Sequence, residues 1–211
     1  MKIAVLGTGS VGTTLGTRWA QCGHEVHFGS RTPSDSDTLA RLQKAGGSSI
    51  RLGSWQEAVV GSDAVLLAVP WRATENVLKT LGDTLDGHVL IDCVNPLNAT
   101  FSGLELGYST SASEKIADLV PRARVVKAFN SVSAATMANP IYADQPATLF
   151  YCGDDDEAKQ TVAQLAQDLQ FQAVDAGALS HARYLEPLAM LYIYLAATGW
   201  GSQCAFRVVR R

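Results

Sequence analysis

Short apolar runs alternate along this chain with stretches whose apolar residues recur every three or four positions. Ile3, Ala4, Val5 and Leu6 form the first run, as expected of a strand buried on both faces of a parallel sheet. Val11, Leu15 and Trp19 then fall on one side of a helix, and Glu25 to Gly29 is the second strand. A helix over 34–45 follows, with Ser34 or Asp35 as its N-cap and Gly46-Gly47 at its end,. The pattern next predicts a weak strand at 48–52, a brief helix or turn at 55–60, a strongly apolar strand at 64–69, a helix at 73–85 and a strand at 89–92,. After an irregular stretch, Ser113 restarts a helix through 114–119 that Pro121 closes. Residues 124–130 read as a strand, 131–138 as helical and 147–152 as a strand. The acidic run Asp154 to Glu157 opens a helix at 157–169, where carboxylates cap amides and oppose the helix dipole,. A last strand at 171–175 leads to a final helix from His181 to Ala197, with Ser180 as cap and Pro187 as the point of a kink. Its apolar run, Leu188 to Ala197, is far shorter than the ~20 residues needed to cross a bilayer, so it is read as a core or subunit-contact helix.

Strands alternating with helices predict an α/β fold, a Rossmann-type doubly wound and mostly parallel sheet with a small C-terminal helical part. The expected division is a nucleotide-binding domain at 1–177, with a helix and tail at 178–211 packed on it. A chain of 211 residues, 47% of them hydrophobic, is large enough for a core without staples,. The net charge of -3 and the scattered basic residues argue against nucleic acid as a partner,. Cys22, Cys93, Cys152 and Cys204 are widely spaced, which predicts free thiols in a reducing cytoplasm and no zinc site. No two of the four histidines share a helical face, so no metal is assigned. The first core strand begins at the N-terminus, which leaves no room for a cleaved signal peptide and gives the same cytoplasmic expectation.

The candidate chemistry begins at Gly7, Gly9 and Gly12, a complete G-x-G-x-x-G between the first strand and helix. The first glycine turns the chain, the second admits a pyrophosphate to the backbone and the third lets helix and strand pack closely. Thr8, Ser10 and Val11 add backbone donors at a helix N-terminus, which attracts anions. A glycine-rich turn that merely joins strand to helix is the plain alternative, and the βαβ context favours dinucleotide binding. At the end of the second strand an NAD site usually has a carboxylate, whereas this chain has Ser30, Arg31 and Thr32. Arginine accommodates a ribose 2′-phosphate, so NADP is the expected cofactor. Val69, Pro70 and Trp71, with Arg72, follow the next apolar strand on the same edge, and Asp92 and Asn95 follow the one after,. Hydrogen-bonding the turn at Pro96 is an equally good role for Asp92 and Asn95. The loop at 98–113 is a candidate mobile wall of an acceptor site. Lys127 reads as structural or phosphate-facing. With no nucleophile triad or carboxylate pair in view, no catalytic side chain is assigned. Hydride transfer to a flavin-type ring by positioning alone fits that absence; an NADP(H) sensor without turnover is the alternative.

GTGSVGTTLG, GSRTP, AVPW, DCVNPL, VVKAFNSVSA and RYLEPLAMLYIYLA together resemble the NADP oxidoreductase, coenzyme F420-dependent family, over nearly the whole chain. The resemblance implies a Rossmann domain with a small C-terminal part, often a homodimer, that passes hydride between NADPH and a deazaflavin at the nicotinamide face. It also implies that Ser30 and Arg31 bind the 2′-phosphate and that Val69, Pro70 and Asn95 line the nicotinamide side. Asp35 stands where the family's deazaflavin enzymes have a basic residue, and Asn130 and Val132 replace a His and an Ile beside the reacting rings. KAFN is instead similar to the cytosolic domain of six-transmembrane ferric and cupric reductases, so the acceptor is coenzyme F420, FAD or FMN, or another small molecule.

Overall fold

The computed structural model describes residues 1–211. Ten strands are present: β1 (Lys2–Leu6), β2 (Glu25–Gly29), β3 (Ile50–Gly53), β4 (Ala64–Leu67), β5 (Val89–Asp92), β6 (Arg124–Lys127), β7 (Ile141–Tyr142), β8 (Gln145–Pro146), β9 (Thr148–Gly153) and β10 (Gln172–Asp175). Eight helices accompany them: α1 (Ser10–Gln21), α2 (Ser36–Gly46), α3 (Trp55–Val59), α4 (Trp71–Leu81), α5 (Ala112–Leu119), α6 (Ala134–Ala138), α7 (Asp156–Asp168) and α8 (Ala182–Leu195). Eight strands form one sheet in the order β3-β2-β1-β4-β5-β6-β9-β10. All neighbours are parallel except β6 and β9. The order reverses between β1 and β4, which is where a doubly wound sheet opens a crevice for a ligand.

Alternate strand residues belong to opposite core layers, as a side-chain period of two requires. Val5, Leu66, Ile91 and Val126 pack with Trp19 and Phe28 on one face. Leu6, Leu67, Leu90 and Val125 pack with Val77, Leu78 and Ile116 on the other. Both faces are therefore buried, which is why these strands read as uninterrupted apolar runs.

Several predicted boundaries move. The helix expected at 73–85 begins at Trp71, because Pro70 suits an N-terminus that needs no amide proton, and Gly82 with φ +48 stops it at Leu81 before a 3₁₀ turn,. Strand β6 ends at Lys127 instead of running to residue 130, and α6 begins only at Ala134, capped by Ser133. Helix α5 is capped by Ser111, not Ser113. Ser180 caps nothing: residues Leu179–His181 form a 3₁₀ turn, and the Leu179 N–H donates to Asp154 Oδ1 at 2.8 Å. Pro187 lies within α8, and the two-residue strands β7 and β8 form a hairpin that the pattern does not predict. The tail returns across the fold, where the Thr148 N–H donates to the Phe206 carbonyl at 3.0 Å. No helix is long and apolar enough to cross a membrane.

Candidate functional site

The segments that follow β1, β2, β4, β5 and β6 share one edge of the sheet, and the candidate cofactor residues lie on them: Gly7 to Gly12 enter α1, Ser30 to Thr32 follow β2, Val69 and Pro70 lead into α4, and Asn95 and Asn130 follow β5 and β6. Gly7 adopts φ +122, and a Cβ there would lie 2.4 Å from the Ala68 carbonyl oxygen. A Cβ on Gly12 would lie 2.2 Å from the Gly7 carbonyl oxygen. Both glycines are thus demanded by close backbone approach. Gly9 differs, because a Cβ on it would meet nothing within 4 Å. Neither crowding nor its φ of -75 requires glycine there.

Gly9 is also the N-cap of α1, with no side-chain cap and no acidic residue in the first turn. Helices α2, α3, α5, α6 and α7 all begin with a capping Asp or Ser. The first amides of α1, from Ser10, Val11 and Gly12, thus face the edge with the positive end of the helix dipole behind them. Replacing Gly12 with alanine is expected to disrupt the turn and lower the melting temperature. Gly9→Ala should fold with a cost of about 1 kcal/mol or less yet weaken NADPH binding at least tenfold. Calorimetric titration and thermal unfolding of both variants check this.

Thr8 lies in the same turn, its carbonyl accepting from Thr13 Oγ1 at 3.2 Å. Beyond β2, Ser30 Oγ accepts from the Thr32 N–H at 3.1 Å, and Arg31 is exposed beside them. Asp35 does not take over a phosphate-binding role: its oxygens accept from Thr38 N at 3.0 Å and Thr38 Oγ1 at 2.8 Å, capping α2. Those bonds hold its carboxyl below the usual range. After β4, Val69 and Pro70 lead into Trp71, which packs on the core beneath while its Nε1 donates to Glu105 Oε2 at 3.1 Å.

The ends of β5 and β6 are joined by paired asparagines. Asn130 Nδ2 donates to Asn95 Oδ1 at 3.0 Å and to the Leu185 carbonyl at 2.9 Å, while Asn95 Nδ2 donates to the Asn130 carbonyl at 2.8 Å. Asn130 Oδ1 is left buried without a partner in the chain. The turn that brings Asn130 there depends on Phe129, whose φ of +61 is costly for a bulky residue,. Trp19 and Phe171 hold the Phe129 ring edge-on, with centroids 5.7 and 6.1 Å away.

Beneath this pair lies a wholly buried ionic cluster. Lys127 Nζ is 2.8 Å from Asp92 Oδ2, 2.9 Å from Glu186 Oε1 and 2.6 Å from the Val94 carbonyl. Asp92 also accepts from Ser113 Oγ at 2.6 Å and from Val94 N at 2.8 Å. Glu186, reaching in from α8, accepts from the amides of Ala112 and Ser113 at the start of α5. Burial opposes the charge on Lys127, but the two carboxylates outweigh it and hold the amine above its ordinary value. Burial likewise raises the Glu186 carboxyl, against the pull of Lys127. Burial, reinforced by Asp92, pushes the Cys93 thiol up to about 12. All four cysteines are free, as the spacing predicts.

The family described as NADP oxidoreductase, coenzyme F420-dependent, matches residues 2–96, from β1 through β5. The F420-dependent NADP reductase of Methanothermobacter thermautotrophicus is 31% identical over 210 residues, covering 92% of this chain and 89% of that protein. The chain belongs to the coenzyme F420-dependent NADP oxidoreductase family. A crystal structure from Arthrobacter sp. FB24, proposed to be an F420-dependent NADP reductase, superposes with a TM-score of 0.90 at 30% identity, covering all of both chains. Metalloreductase STEAP3 of Rattus norvegicus is 35% identical over 193 residues, and that match spans 90% of this chain but 37% of the longer relative.

For this NADP oxidoreductase, sequence reasoning missed Glu186, Glu105 and the left-handed Phe129. A lone carboxylate in α8, two residues ahead of its apolar run, was the one available signal for Glu186, because an acid in an otherwise apolar helix needs a buried partner. Nothing local marks Phe129 or the contact between Glu105 and Trp71.

Proposed function

We propose that this oxidoreductase passes hydride between NADP(H) and a flavin-type ring, either coenzyme F420 or FAD/FMN. The observation that carries the reading is Gly9, whose open side faces the uncapped start of α1. The amides of residues 8–12 would take the pyrophosphate, and Ser30, Arg31 and Thr32 the 2′-phosphate. Val69, Pro70, Trp71, Asn95 and Asn130 would frame the nicotinamide. A bound dinucleotide would supply or take up a hydride, one proton with two electrons, with the balancing proton exchanged with solvent at the acceptor.

The chain's own contribution is positioning. Asp92, Lys127 and Glu186 have no exposed surface and are saturated by one another, so they fix the floor of the site and exchange no proton with a substrate. Asn95 and Asn130 lock the two strand ends together, which holds that side of the site in one arrangement for ring positioning. The four free thiols support a reducing, cytoplasmic setting.

The test is to mix purified protein with NADPH and, separately, with coenzyme F420, FAD and FMN, following the acceptor's visible absorption. Catalytic bleaching of at least one is expected, and no turnover with any of them removes this reading.

A further inference from the structure

We infer that Glu186 is a positioning residue: from α8 it holds the Asn130 amide so that its oxygen, not its nitrogen, is presented at the cofactor edge. This role rests on the hydride-transfer reading above and adds to it a residue that acts from outside the site.

The orientation of the asparagine pair follows from the chemistry of its neighbours. A backbone carbonyl only accepts hydrogen bonds, so an amide side chain facing one must present its nitrogen. Asn95 Nδ2 meets the Asn130 carbonyl at 2.8 Å, and Asn130 Nδ2 meets the Leu185 carbonyl at 2.9 Å. The other hydrogen of Asn130 Nδ2 goes to Asn95 Oδ1 at 3.0 Å. Both hydrogens of that nitrogen are engaged, and a flipped Asn130 would set its oxygen against two acceptors. What is left is Asn130 Oδ1, on a residue 6% exposed and without a partner in the chain. A buried acceptor with no donor costs stability, and a bound N–H group would remove that cost. At the nicotinamide end of the dinucleotide, the carboxamide is the group that carries N–H donors.

The Leu185 carbonyl sets this orientation, and Glu186 sets where that carbonyl stands. The two residues are consecutive in α8. The Glu186 carboxylate is 2.9 Å from Lys127 Nζ on β6 and accepts from the amides of Ala112 and Ser113 on α5 at 3.0 and 3.3 Å. Lys127 in turn donates to the Val94 carbonyl at 2.6 Å, one residue before Asn95. One buried carboxylate thus ties together the backbone on both sides of the asparagine pair. Arg183 and Glu114, 2.6 Å apart, join α8 to α5 independently. Altering Glu186 is therefore expected to shift the Leu185 carbonyl without releasing the helix.

Two dinucleotides that differ only at the carboxamide isolate the effect: NADP⁺ and its 3-acetylpyridine analogue, in which a methyl ketone replaces the amide and offers no N–H. Titrated by calorimetry, the parent protein is expected to bind NADP⁺ about tenfold more tightly than the analogue, a preference that Asn130→Ala abolishes. Glu186→Gln should cut that preference at least threefold and leave the affinity for adenosine 2′,5′-bisphosphate, which has no nicotinamide, unchanged. A Glu186 that served only to stabilise the fold would not move the ratio. Should Glu186→Gln fail to fold, Glu186→Asp keeps the charge beside Lys127, shortens the reach to α5, and is expected to give the same shift. Equal affinity of the parent for the two dinucleotides, or a ratio untouched by the Glu186 variants, overturns the inference and leaves the hydride-transfer reading to the turnover assay. If neither dinucleotide binds, both fall.

Discussion

Lys127→Met is expected to cost about 3–5 kcal/mol of folding stability and to make what remains strongly dependent on pH. The variant keeps the volume of the side chain but removes the one cation between Asp92 and Glu186, both fully buried. Two carboxylates then face each other without water or a counter-charge, and one of them must take up a proton. The Glu186 carboxyl, already raised above its ordinary 4.5 by burial, rises further. In the variant the folded state binds a proton that the unfolded state releases, so stability falls as pH rises from about 4.5 through the raised value. Urea unfolding at several pH values between about 5 and 8 reads that slope directly. Asp92→Asn added to Lys127→Met should restore much of the loss, because it removes the repulsion. A single variant that unfolds like the parent at every pH would show that the cluster contributes nothing to stability.

The second large effect is on cofactor choice. Arg31→Ala should weaken NADPH binding by about ten- to a hundredfold, since charge-assisted hydrogen bonds to a phosphate are worth about 1.5–3 kcal/mol. NADH, which lacks the 2′-phosphate, should change little. Arg31 is exposed and Asp35 is engaged by Thr38, so the single guanidinium has no nearby basic helper following it in the turn. The NADPH loss should shrink as salt increases, because an exposed ion pair is screened within about 10 Å at 0.1 M salt. Parallel calorimetry with both dinucleotides checks this, and equal losses would take Arg31 out of the phosphate site.

These two sites differ in how visible they are in the sequence. Gly7, Gly9 and Gly12 are close together, and each answers to a local condition: a positive φ, an open side or a close carbonyl. Ser30 and Arg31 are legible because a strand's end fixes where the next residues emerge. Lys127 is another matter. It lies 35 residues from Asp92, and its second partner, Glu186, is on a helix that the apolar pattern reads as a core or subunit-contact helix. Arg124 to Asn130 look like one continuous strand, yet the strand stops where Phe129 turns left-handed between Trp19 and Phe171, two rings contributed by distant elements.

By itself, then, the order of residues determined the parallel Rossmann sheet, the glycine turn and the edge on which the cofactor residues gather. Strand burial and helix spacing are short-range properties, and each leaves a periodic mark on the chain. Only the tertiary structure decided that β9 runs antiparallel beside β6, that Asn95 and Asn130 pair, that Glu186 completes a buried cluster, and that α8 faces the 96–108 loop across an apolar groove. Those features arise where side chains far apart in the sequence meet, and whether a buried charge or a strained turn is tolerated depends on the partners that the folded sheet brings to it.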